Sequence, residues 1–232
     1  MRIIFVRHGH PDYQKDCLTP LGHLHAEAAA ERLRGETIHR AFSSSKGRAR
    51  ETAEHILKGR ELSLTLCDFI REIGWGPYGE EELPHRGHPW YTAGDMVSRG
   101  ESITRSDWAE KEPFCNNRVR DCVALVAKGT DEWLASLGYE REGEFYRVKK
   151  MSEENILMTS HAGSSSAALA HMFNMPFPFA CVALEPCFTA ITIVSFGGTF
   201  GGKEGDLISP RFELLNDARH IEGITAPDIK GN

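Results

Sequence analysis

"IIFVRHGHPDY", residues Ile3 to Tyr13, runs from four apolar residues straight into an arginine and two histidines. A short, unbroken β-branched and aromatic run is the pattern of a strand buried on both faces, as in a parallel sheet. The polar residues behind it then stand at the strand's carboxyl end. Taken alone, the stretch fits a polar loop, a metal site, or a nucleophile held in an anion-binding turn.

Working outward from it, strands and helices alternate. Thr19-Pro20 opens a helix that extends to about Arg34, with threonine as cap and proline at the first helical position. Leu21, Leu24, Ala28 and Leu33 are its expected apolar face. "AFSSS" is a second strand and loop, "KGRARETAEHILK" a second helix, and "LSLTL" a third strand. The pattern resumes with "NILMTS" as a strand, "HAGSSSAALAHMF" as a helix, and "TAITIVSF" and "RFELLN" as the closing strands. Such alternation implies a three-layer α/β/α fold around a largely parallel sheet.

Between about Gly74 and Ser152 the alternation breaks. "GWGPYGEEELPHRGHPW" reads as irregular, Asn117 to Leu137 as a helix with Val119, Val123, Val126, Trp133 and Leu137 near one face, and "YEREGEFYRV" as a hairpin turning at Glu142-Gly143. This span has too few apolar residues for a core of its own. We therefore expect one domain over 1–232, with a cap-like insertion at about 74–152 covering the cleft. The tail after Ile221 reads as loose.

A formal net charge of −6 argues against a general nucleic-acid binder. No apolar stretch has the length of a transmembrane helix, and the amino-terminal apolar run is too short for a signal peptide. Six cysteines without paired spacing fit a reduced, cytoplasmic compartment. Neither nucleic acid nor membrane is an expected partner, a local basic cleft is still able to bind a small anion, and a homodimer is left open.

Polar residues recur where strands end. His8 follows the first strand, Arg48 the second, Glu72 the third, and His161 follows "NILMTS". In open α/β sheets, ligands bind outside the carboxyl ends of the strands, so these four should converge. Two other motifs carry less. "GGTFGGK" (Gly197 to Lys203) has P-loop spacing but lacks the following Ser or Thr and the helix, and reads as a hairpin loop. His85 and His88 have zinc-compatible spacing, but no set of four ligands is completed nearby.

Arg7-His8-Gly9, "SSSKGRARETA", "IREIGWG" and "ILMTSHAG", in that order, resemble the signatures of the histidine phosphatase superfamily, which includes the phosphoglycerate mutases. "LTPLGHLHA" and "ELLNDARHI" are similar to its first-helix and last-strand segments. The resemblance implies a phosphoryl-transfer site without metal or other cofactor. It implies His8 as nucleophile, Arg7, Arg48 and His161 as phosphate ligands, His161 also as a catalytic group, and Glu72 as proton donor. Glu80, Glu81 and Glu82 lie close enough in sequence to be alternatives to Glu72.

His10 stands where the family often has Glu or Gln, and Ala162 where it often has Gly. His10, Tyr13, His85 and Arg86 are candidate substrate contacts. The "IREIGWGPYG" segment resembles the phosphatase branch more than the mutases. A metal-independent phosphomonoesterase is thus expected, with a mutase and a non-catalytic phosphate-binding module as the alternatives.

Overall fold

In the computed structural model, which describes residues 1–197 and 202–225, the opening apolar run forms β1 (Arg2–Arg7). The loop behind it carries the short pair β2 (Pro11–Asp12) and β3 (Cys17–Leu18). Helix α1 (Pro20–Arg32) follows, then β4 (Arg40–Ser44), α2 (Gly47–Leu57) and β5 (Leu64–Cys67). Further on are α3 (Pro89–Ser98), α4 (Val119–Ser136), and the hairpin β6 (Tyr139–Glu142) and β7 (Phe145–Val148). The chain ends with β8 (Asn155–Ser160), α5 (Ala162–Met172), α6 (Phe177–Leu184), β9 (Ile191–Ser195), β10 (Leu207–Ile208) and β11 (Arg211–Asp217).

Six strands make the central sheet in the order β11-β9-β1-β8-β4-β5. β1, β8, β4 and β5 are parallel, whereas β9 is antiparallel to both β1 and β11. Strand periodicity sorts the buried side chains into two layers. Ile4, Val6 and Leu157 pack with Ala29, Leu33, Ile56 and Leu57 of the α1/α2 side. Ile3, Phe5, Ile156 and Met158 pack with Trp133, Leu134 and Ala167 of the α4/α5 side. The fold is therefore the expected three-layer α/β architecture.

The connection from β1 passes α1 and reaches β4 beyond β8. The connection from β8 passes α5 on the other face and reaches β9 beyond β1. The two chains diverge at the carboxyl ends of adjacent strands, and this switch point opens a crevice there. His8 and His161 are the first residues beyond β1 and β8.

Several sequence expectations need correction. The Thr19 hydroxyl does cap α1, accepting from the Gly22 N–H at 3.1 Å. However, the buried face of α1 is Gly22, His25, Ala26 and Ala29, leading to Leu33, and Leu24 is 39% exposed. The inward face must be small because the backbone of the loop behind β1 lies on it. A Cβ on Gly22 would stand 2.1 Å from the His10 carbonyl oxygen, and one on Gly9 would stand 2.5 Å from the Gly22 oxygen. Gly9 is thus needed for close approach to α1. Thr19→Ala should lower stability by about 1 kcal/mol, measured by denaturant unfolding.

Helices α3 and α6 lie where the sequence reading had placed none. α6 contains Pro178 and is capped by Pro176, and its apolar residues run round the helix, hiding its periodicity. Within residues 74–152, α4 packs on α5 and puts Trp133 against Phe42 of β4. Trp90 of α3 and Trp108 pack on Phe177 of α6. Residues 198–201, most of the Gly197–Lys203 hairpin loop, and 226–232 of the tail lie outside the described residues. No helix among the described residues is long and apolar enough to cross a membrane.

Candidate active site

His8 is fully buried at the end of β1. Its N–H donates to the Ser160 carbonyl of β8 at 2.9 Å, which fixes the backbone beside the neighbouring strand. In the side chain, Nδ1 lies 2.7 Å from the Gly9 carbonyl oxygen. A carbonyl only accepts, so this contact assigns the proton to Nδ1 and leaves the Nε2 lone pair free. Arg48 Nε–H donates to that Nε2 at 3.2 Å. Burial pushes the imidazole pKa from 6.5 down to about 3. The Gly9 carbonyl opposes that shift, while Arg7 and Arg48 add to it. The ring is therefore neutral, and nucleophilic, at ordinary pH.

Two guanidiniums flank the ring. Arg48 is buried on α2, and Asp16 accepts from its Nη1 at 2.5 Å. The Asp16 carboxylate is held below its ordinary pKa: burial raises it, but the Gly47 N–H and Arg48 outweigh that. Arg7 donates from Nη1 to the Pro186 carbonyl at 2.7 Å and lies 4.2 Å from the Phe188 ring centroid. Its Nε is buried without a protein partner.

His161 is fully buried between the end of β8 and α5, its ring centroid 5.1 Å from that of His8. Its Nε2 is 2.8 Å from Ser44 Oγ, which also accepts from the Lys46 N–H at 3.2 Å. When the serine hydrogen is directed at Nε2, the His161 proton sits on Nδ1. That nitrogen is likewise buried and unpartnered. Two buried donors without protein acceptors mark a place for an anion. Burial, and then His8, Arg48 and Arg7, hold the His161 pKa well below the usual histidine value.

Glu72 comes back over the sheet edge after β5 to the amino terminus of α5. Its Oε1 accepts from the N–H groups of Ile73 (3.1 Å), Gly163 (3.1 Å) and Ser164 (3.2 Å). Burial raises its pKa, against those N–H groups and the two arginines. With Oε1 saturated, Oε2 is the oxygen that can carry a proton. One ligand atom each from His8, Glu72 and His161 lies within 4.8 Å of the others. This trio has the composition of a metal site, but Arg48 occupies the His8 lone pair and two guanidiniums repel a cation.

The structure thus brings Arg7, His8, Arg48, Glu72 and His161 together. Tyr13, 68% exposed, sits at the mouth with its ring 5.3 Å from the Arg48 guanidinium carbon. His10 Nδ1 is 2.9 Å from Thr19 Oγ1, and its ring packs on Phe188. His85 pairs with Asp95 at 3.0 Å and packs on Tyr91. Among the described residues, no hydrogen bond or ring contact joins His85 or Arg86 to the five clustered residues. Arg99 and Arg105 are spent on Glu101 and Asp107. Glu80, Glu81 and Glu82 are exposed, and Glu81 accepts from Asn116.

Sequence reading missed Asp16, Ser44, Thr52 and Phe188. Thr52 Oγ1 accepts from the Gly9 N–H at 3.1 Å and donates to the Arg48 carbonyl, tying the loop to α2. Phe188 packs against Arg7, His8, His10 and His25. Its usable signal is topological. β9 is antiparallel to β1, so residues just before β9 stand at the same sheet edge as residues just after β1.

The depressed histidines couple the site to stability. In the window between about 6.5 and about 3, the unfolded chain binds a proton at position 8 that the folded chain refuses. Stability from His8 is therefore complete above about pH 6.5 and lost as pH falls through that window, on the order of a few kcal/mol. His161 acts in the same direction. Glu72, with its raised pKa, acts oppositely: its share is lost as pH rises through the folded value. Denaturant unfolding at pH 7.5 and 5 should show a smaller acid loss in His8→Gln than in the parent.

The family model "Histidine phosphatase superfamily (branch 1)" matches residues 3–134. No curated protein matches the chain. Among solved structures, the chain is similar to a phosphoserine phosphatase from Entamoeba histolytica, with 19% identity, coverage of 95% of this chain and 98% of that one, and a TM-score of 0.61. It is also similar to the alpha-ribazole phosphatase from Shigella flexneri (18% identity, 94% and 97% covered, TM-score 0.60). A mycobacterial glucosyl-3-phosphoglycerate phosphatase is a third (23% identity, 93% and 98% covered, TM-score 0.62). With its ordered motifs converging on one sheet edge and a family match over more than half its length, the chain belongs to the histidine phosphatase superfamily.

Proposed function

We propose that the chain hydrolyses a small phosphomonoester through a phosphohistidine on His8, without a metal. The observation that carries this reading is the neutral His8 Nε2 lone pair, set between Arg48 and His161 with the Glu72 carboxyl in reach. An incoming phosphoryl group exchanges the Arg48–His8 contact for one from Arg48 to its own oxygen. Arg7 Nε and His161 Nδ1 supply the further donors, each charge-assisted bond being worth about 1.5–3 kcal/mol.

His8 Nε2 then attacks phosphorus as the bond to the leaving oxygen breaks. Glu72 Oε2–H protonates that oxygen, and the resulting carboxylate takes a proton from the water that later attacks phosphorus and frees His8. The fixed donors stabilise the charge that grows on the equatorial oxygens. We read residues 74–118 and Tyr13 as the part that meets the leaving group. The phosphatase reading is supported by the phosphatase names of the similar structures, and the cytoplasm is proposed as its compartment from the unpaired cysteine spacing.

The test is a panel of sugar phosphates, nucleotides and phospho-amino acids assayed in EDTA. Release of inorganic phosphate from at least one is the expected result. Interconversion of phosphoglycerates only with a bisphosphoglycerate primer would instead identify a mutase. Thermal stabilisation by phosphate with no turnover would identify a binding module.

A further inference from the structure

On the outer surface, away from the cleft, helices α1 and α2 bring two histidines face to face. His23 Nδ1 and His55 Nε2 are 3.0 Å apart, with ring centroids 5.2 Å apart and planes inclined at 53°. His23 is exposed and His55 half-buried, so the pair is open to solvent. On the far side of the His55 ring, Glu27 Oε1 lies 4.0 Å from Nδ1. Glu27 is one helical turn beyond His23 on α1, hence on the same face.

We infer that His23 Nδ1 and His55 Nε2 form a bidentate site for a divalent transition-metal ion, with Glu27 orienting His55 from behind. Metal–nitrogen bonds of about 2.0–2.1 Å put two nitrogens about 2.9 Å apart at a right angle and about 3.4 Å apart at the tetrahedral angle. The observed 3.0 Å sets the nitrogens at the spacing of adjacent positions of a square-planar or octahedral ion, as nickel prefers, and each ring must turn from the present N–H···N line to aim its lone pair at an ion between them. Imidazole ligands select such ions over calcium and magnesium, which prefer oxygen.

The tautomers also suit the role. The Glu27 carboxylate, 4.0 Å from His55 Nδ1, is beyond direct hydrogen-bond distance, but its charge favours the proton on that nitrogen, leaving the Nε2 lone pair toward His23. His23 then donates Nδ1–H in the present contact. On taking up the ion, that proton passes to His23 Nε2, and neither ring changes charge. Water completes the coordination on the solvent side. The ion would clasp α1 to α2, the helices that carry Gly22 under the phosphate loop and Arg48 beside His8. The site is independent of the proposed reaction.

The test uses untagged protein, stripped with chelator and titrated with Ni²⁺ by calorimetry, with melting temperature followed in parallel. The expected result is saturable Ni²⁺ uptake that raises the melting temperature. His23→Ala and His55→Ala should each lose that binding event and that rise, and Glu27→Gln should weaken binding without abolishing it. Phosphomonoesterase activity should be unchanged in these variants without metal. The inference is overturned if the parent takes up no Ni²⁺ at millimolar ion. It is equally overturned if both histidine variants keep the full uptake and stabilisation, which would place the ion on cysteines or in the cleft.

Discussion

His8→Ala should reduce phosphomonoester turnover by about 10⁴–10⁶-fold while leaving phosphate binding largely in place. The size of the loss follows from removing the atom that forms the covalent intermediate, for which no neighbour can substitute. His161 cannot take over, because its Nε2 is engaged by Ser44. Phosphate binding persists because Arg7 Nε, the Arg48 fork and His161 Nδ1 do not depend on His8 for their positions. Asp16, Pro186 and Phe188 hold the arginines instead. Rapid-quench labelling of the parent with a ³²P substrate should give an acid-labile, alkali-stable phosphoprotein that His8→Ala lacks. Retained turnover in His8→Ala would refute the mechanism, and retained phosphate-induced stabilisation would show that the variant is folded.

Glu72→Gln should lower kcat on alkyl phosphates by about 10²–10⁴-fold. The amide still accepts from Ile73, Gly163 and Ser164, so the seat survives and only the proton is lost. Aryl phosphates with acidic phenols leave without protonation, so their phosphorylation step should suffer much less. Gly163→Ala is the structural counterpart. A Cβ there would lie 2.6 Å from Glu72 Oε1 and 2.5 Å from Ile73 Cγ1, which displaces the acid without changing its chemistry. It should therefore reduce kcat on alkyl phosphates in the same leaving-group-dependent way. Gln at Glu80, Glu81 or Glu82 should leave turnover unchanged. Full activity of Glu72→Gln on an alkyl ester would remove Glu72 from the reaction.

Much of this site can be read from the linear chain, for a specific reason. The two histidines proposed to bear the chemistry follow their strands at once, and the strands announce themselves as short apolar runs. Val6 and Ser160 are paired to neighbours within the sheet, so the next residues are placed almost regardless of loop detail. Glu72 is different, because an edge strand, a turn and a return across the sheet precede it. The "IREIGWG" motif favours it, but hydrophobic periodicity and composition do not distinguish it from the three glutamates that follow shortly after. What distinguishes it is the amino terminus of α5, which offers two N–H groups from a segment far away in sequence.

The sequence by itself determined the α/β class, the elements of the central sheet and the polar residues at their carboxyl ends, because hydrophobic periodicity and chain reversals are local properties. Tertiary structure alone decided which face of α1 turns inward, that β9 runs against its neighbours and so delivers Phe188 to Arg7, and which glutamate meets the histidines. Each of those depends on what lies opposite: a loop backbone too close for anything but glycine, a strand direction set by a crossover, a helix terminus from another part of the chain. Local pattern carries no record of the partner across the gap, so such contacts exist only once the sheet order is fixed.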